Sequence, residues 1–102
     1  MKTKELIAKV NEYKEHYRDL DSLEACIRSD FHPEVYKVAK ALNPVRINFG
    51  YSVMATDVYK CEDGYVGVHA AFAVSDDYIK VWHPVCVEEF EEFTSVSYKR
   101  KA

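Results

Sequence analysis

The apolar period of this chain changes once, at Pro44, and that change limits the fold more than any other feature of its 102 residues. Before it, Leu6, Val10, Tyr13, Tyr17 and Leu20 recur four and three apart, the spacing that stacks side chains on one face of an α-helix. Ile7 widens the stripe, and Lys9, Glu12, Glu15 and Arg18 fall on the solvated side. The first twenty residues therefore read as an amphipathic helix. Asp21 and Ser22 interrupt the pattern, and Glu24 follows Asp21 at the spacing of a capping box, which opens a short second helix over 23–28. Pro33 is well placed for the first turn of a third helix, carried by Val35, Val38, Ala39 and Leu42 and stopped at Asn43-Pro44.

Beyond Pro44 the period is two. Val45, Ile47, Phe49, Tyr51, Val53 and Ala55 alternate with Arg46, Asn48, Ser52 and Thr56, a half-buried strand with a bend at Gly50. Glu62-Asp63-Gly64 is turn chemistry, and a strand over 65–75 follows, with Val66, Val68, Ala70, Phe72 and Val74 inward. Asp76-Asp77 turns the chain into a third strand over 78–83, which Pro84 interrupts. Residues 87–93 suit a helical turn and a strand equally, and 94–99 reads as a last strand before the basic Lys99-Arg100-Lys101. Helices first and hairpin-linked strands afterwards predict an α+β fold: helices (3–42) on one face of an antiparallel sheet of about four strands (45–99), in a single domain over 1–102. On this reading Leu6, Val10, Tyr17 and Leu42 lie against Val53, Val68 and Phe72.

Composition narrows the function classes. Hydrophobic residues at 48% and charged residues at 30% are the mix of a globular domain, and a net charge of −3 argues against a strongly basic nucleic-acid binder. No apolar run reaches the ~18 residues of a membrane span. The opening MKTKELIAKV is broken by charges where a signal peptide is apolar, and three widely spaced Cys make no disulfide framework, so a cytoplasmic protein is expected. With glycine only at 50, 64 and 67, neither a phosphate loop nor a dinucleotide fingerprint can be written, and no cofactor is expected.

Cys61, His69, His83 and Cys86 are the ligand types zinc prefers, but they lack the paired spacing of a knuckle. Ordinary packing is the simpler reading, so the chain is expected to fold without metal. His69 could serve as a catalytic base only if Cys61 or a carboxylate came within hydrogen-bond reach, which no spacing enforces. Charge is distributed unevenly: residues 1–50 carry nine basic and eight acidic side chains, whereas 57–92 carry two basic and nine acidic ones. Eight Tyr, five Phe and one Trp are more aromatics than a thin core can hold. An acidic sheet surface bearing exposed Tyr and Trp is the composition of a protein-binding face.

The sequence thus predicts a non-enzymatic interaction module, an inhibitor or adaptor for a basic protein surface such as that of a nucleic-acid-binding enzyme, in the manner of phage or mobile-element proteins. Its predicted binding residues are Tyr65, Asp76, Asp77, Tyr78, Trp82, Glu88 and Glu89. Direct nucleic-acid or membrane binding is not expected, and any homo-oligomer would form through the sheet. Two alternatives stand beside it. One is a small-molecule pocket between helices and sheet, lined by Tyr13, Tyr17, Phe49 and Phe72; the other is a small enzyme using His69 or His83.

Overall fold

A computed structural model describes the backbone of residues 1–47, 50–75, 80–82, 84–94 and 97–101, and the side chains of 1–42, 52–73, 84–93 and 97–101. Two helices, α1 (Thr3–Tyr13) and α2 (Leu20–Phe31), precede six strands. These are β1 (Tyr36–Ile47), β2 (Gly50–Lys60), β3 (Tyr65–Ser75), β4 (Lys80–Trp82), β5 (Cys86–Thr94) and β6 (Ser97–Arg100). All described strand pairs are antiparallel. The order across the sheet is β1-β2-β3-β5-β6, with β4 pairing the far end of β3 beyond β5. The α+β class holds, with six strands among the described residues where about four were expected.

Both helices lie on one face of the sheet. Leu6 and Val10 of α1 and Leu20, Leu23 and Ile27 of α2 form one buried cluster with Ala55, Tyr59, Val66, Val68 and Ala70. The helix starts are fixed by acids. Asp63, from the β2–β3 turn, accepts from the Thr3 N–H at 2.8 Å and satisfies one of the orphan donors of α1. Asp19 caps α2 by accepting from the Ser22 N–H at 2.9 Å, and that bond holds its carboxyl below the usual range.

Several boundaries differ from the sequence reading: α2 runs Leu20–Phe31 from a cap at Asp19, where a helix over 23–28 with its capping box at Asp21 was expected. Residues 36–42, read as a third helix, form the first half of β1, where pairing with β2 slips by one residue between Lys37 and Ala39. The bulge at Val38 resets the alternation, and an alternation reset by one residue imitates three-and-four spacing. Val35 is indeed buried, but Leu42 is 58% exposed. The strand expected to run from 45 through 56 is instead split between β1 and β2, which pair down to Ile47↔Gly50; residues 48 and 49 lie outside the described ones. Because α1 ends at Tyr13, Tyr17 falls beyond it and is 44% exposed, so Tyr17 and Leu42 leave the expected core while Leu6, Val10 and Val68 occupy it. The ambiguous stretch 87–93 is strand.

Candidate functional site

Strand register divides the sheet residues between two faces. Ala41 opposes Thr56, Thr56 opposes His69, and His69 opposes Cys86; one step along, Val58, Gly67 and Glu88 share that same face. It is the face turned away from the helices. Residues 39–41 of β1 and 97–100 of β6, the two edges of the main strand order, line a single cavity there, so the sheet curls toward this side. The cavity measures about 580 Å³ and is floored by Ala39, Ala41, Val58 and Phe90. A second recess of about 350 Å³ shares Thr56, His69 and Arg100 with it and adds Cys86 and Glu88.

His69 stands where the two recesses meet. Its Nε2 is 3.1 Å from Glu88 Oε2 and its Nδ1 is 2.8 Å from Thr56 Oγ1. A carboxylate only accepts, so Nε2 carries the proton, and in the neutral ring Nδ1 accepts from the Thr56 hydroxyl. Arg100 donates its Nε–H to the same Glu88 oxygen at 2.8 Å. The chain Thr56–His69–Glu88–Arg100 thus crosses β2, β3, β5 and β6. Burial holds the His69 pKa below its ordinary value; Glu88 opposes that shift and Arg100 adds to it. The ring is therefore neutral at neutral pH.

Gly67 makes room for this arrangement. A Cβ at that position would meet three Phe90 ring carbons at 2.4–2.6 Å, and the Phe90 ring packs 5.2 Å from the His69 ring. Gly67→Ala is therefore expected to push Phe90 off the cavity floor and cost about 1–3 kcal/mol by overpacking. Equilibrium unfolding measures this, and an unchanged unfolding free energy would show that the ring yields freely.

The predicted binding residues do not share one surface. Tyr65 and Glu88 lie on the concave face, whereas Glu89 points to the helix side and pairs with Lys101 at 3.6 Å. Tyr65 is already engaged: its hydroxyl donates to Glu92, its ring meets Tyr98 at 4.7 Å, and the Glu92 bond lifts its pKa to about 12. Asp76, Asp77, Tyr78, His83 and Phe49 lie outside the described residues, as does the side chain of Trp82, whose backbone pairs with Phe72.

Four of the seven described acids in the acidic stretch are ion-paired. Glu91 meets Lys99, Glu88 meets Arg100, Glu89 meets Lys101, and Glu62 meets Lys2 and the N-terminus. Asp57, counted among the acids of that stretch, is 1% exposed beneath α2.

Cys61 is buried on the helix face, opposite His69, and burial raises its thiol pKa to about 11, so it neither reaches the histidine nor offers a thiolate. Among the described residues no three His, Cys, Asp or Glu side chains gather as a metal site. A recess of about 190 Å³ on the helix side is lined by Leu20, Leu42, Ala55 and Phe72 among others; Tyr13 and Tyr17 do not line it.

Thr56, Phe90 and Arg100 are the site residues that sequence reasoning missed. The available signal was complementary charge: Glu88 to Glu92 and Lys99 to Lys101 flank a short connection, as the two arms of a hairpin would. No family model, curated protein or solved structure matches the chain. No helix among the described residues is long and apolar enough to cross a membrane.

Proposed function

We propose that the protein binds a small organic molecule on the concave face of its sheet. The observation that carries this reading is the cavity of about 580 Å³, with an apolar floor and the His69 chain at one side. Ligand sites commonly enclose ~300–1,000 Å³, mostly apolar, with a few convergent polar groups. The floor includes the small side chains of Ala39 and Ala41, and Gly67 lets the Phe90 ring lie flat against the sheet beside them. The helix-side core is complete without this cavity.

The test fills the cavity. Ala41 is exposed and lines the wall, so Ala41→Trp should occupy the space without disturbing the core. The probe is N-phenyl-1-naphthylamine, an uncharged dye that fluoresces in apolar sites. Saturable binding at one molecule per chain is expected, weakened about tenfold or more in Ala41→Trp, a loss of about 1.4 kcal/mol or more. Absence of saturable binding, or equal binding by the variant, would remove the reading.

A small enzyme using His69 is a second reading, and the hydroxyl–imidazole–carboxylate order of Thr56, His69 and Glu88 favours it. It ranks second because Thr56 sits in the middle of a paired strand, where backbone N–H groups serve the ladder and do not converge on a developing oxyanion. The interaction-module reading is supported by the aromatic content, but the ion pairs of Glu88, Glu89 and Glu91 leave less free charge for steering.

A further inference from the structure

We infer that the ligand of the concave cavity is an amphipathic anion, received by Arg100 and accompanied by a proton that settles on His69. The inference rests on the ligand-binding reading and adds the ligand's chemistry to it.

Charge balance carries the argument. The groups facing His69 come from four strands: Thr56 on β2, Cys86 and Glu88 on β5, Arg100 on β6, and across the cavity Ala39 and Ala41 on β1. Lys40 and Lys99 also line the cavity, but register places Lys40 opposite Asp57 on the helix side, and the Lys99 ammonium pairs with Glu91 at 3.6 Å. With the ring neutral, Glu88 and Arg100 cancel. Arg100 is the accessible member: its side chain is 72% exposed, against 29% for Glu88 and 17% for His69. A guanidinium has five donors in a planar fork, and the bond to Glu88 uses the Nε–H, so an incoming carboxylate, sulfonate or phosphate can take an outer pair.

That second anion leaves the site one negative charge in excess. The cost is relieved when a proton is bound, and the neutral imidazole already bonded to Glu88 is the nearest base. In the free protein burial and Arg100 keep the ring neutral; the anion offsets both. Binding therefore tightens as pH falls toward the ordinary histidine value of 6.5, with at most one proton taken up.

The experiment compares two dyes on the full chain. 8-Anilinonaphthalene-1-sulfonate keeps its charge throughout the pH range, and N-phenyl-1-naphthylamine has the same aromatic body without the sulfonate. Fluorescence titration should show the sulfonate about threefold tighter at pH 6 than at pH 8, and the neutral dye unchanged. Calorimetry in buffers of different ionisation heat should report proton uptake for the sulfonate alone.

Arg100→Gln, at an exposed position, should weaken the sulfonate at least fivefold more than it weakens the neutral dye. His69→Gln, once circular dichroism confirms its fold, should abolish the pH dependence. If both dyes bind and are displaced by Ala41→Trp, but the sulfonate shows no proton uptake or no greater loss than the neutral dye in Arg100→Gln, the anion inference fails and the cavity reading stands. If neither dye responds to Ala41→Trp, the cavity reading fails as well.

Discussion

Asp57→Val is expected to stabilise the protein at pH 7 by about 1–3 kcal/mol, the usual penalty for a buried polar group without a partner. Asp57 lies on the helix side of β2 between Ala55 and Tyr59, is 1% exposed, and neither carboxylate oxygen has a hydrogen-bond partner among the described residues. Burial raises its pKa, and Lys37 and Lys40 only partly oppose that. Folding therefore favours the protonated acid. Its stabilising contribution is fully present below the ordinary value of 3.8 and is lost as pH rises through the raised one. Valine removes both polarity and charge and suits a strand.

The difference between variant and parent should therefore grow from acid toward neutral pH and then level off. Asn at the same position, polar but never charged, should recover the pH-dependent part alone. Acidic unfolding of the parent is not by itself diagnostic, since Asp19 and Asp63 shift the opposite way and lose their contributions on acidification. Urea unfolding of the three proteins between pH 4 and 8 settles the point. A valine variant less stable than the parent at pH 7 would mean that the carboxylate is paired after all.

The second large effect is at the helix–sheet contact. Leu6 and Leu23 are fully buried on α1 and α2, and each truncation to Ala should cost about 2–5 kcal/mol through lost transfer energy and the cavity left behind. Tyr17→Ala should cost roughly 0.5 kcal/mol or less, because its ring is 44% exposed. A Tyr17 effect as large as the Leu23 effect would place the tyrosine in the core and reinstate the longer first helix.

Long uninterrupted patterns made the fold class legible. The stripe of Leu6 and Val10 and the alternation from Val66 to Ala70 each serve a single face, so periodicity identifies them directly. The β1 strand was illegible because its bulge is a property of pairing with β2, and no local residue announces it. His69 stands out in the sequence on the polar parity of its strand, but the carboxylate that meets it does not. Glu88 was read instead as surface charge, since antiparallel register, which local spacing does not encode, decides which residue faces His69. Arg100 was hidden for the same reason: the last strand, expected over 94–99, extends to include it.

The division of labour between the two faces of the sheet bears on how this chain diverges. Residues at one parity along β2 and β3 hold the helices, and those at the other parity shape the cavity. Substitutions at positions such as Ala39, Ala41, Ala71 or Cys86 alter the size and polarity of the chamber while leaving the helix contacts in place. The open face can therefore be reshaped by small steps, each nearly neutral for folding, so long as Gly67 keeps its place beneath the Phe90 ring.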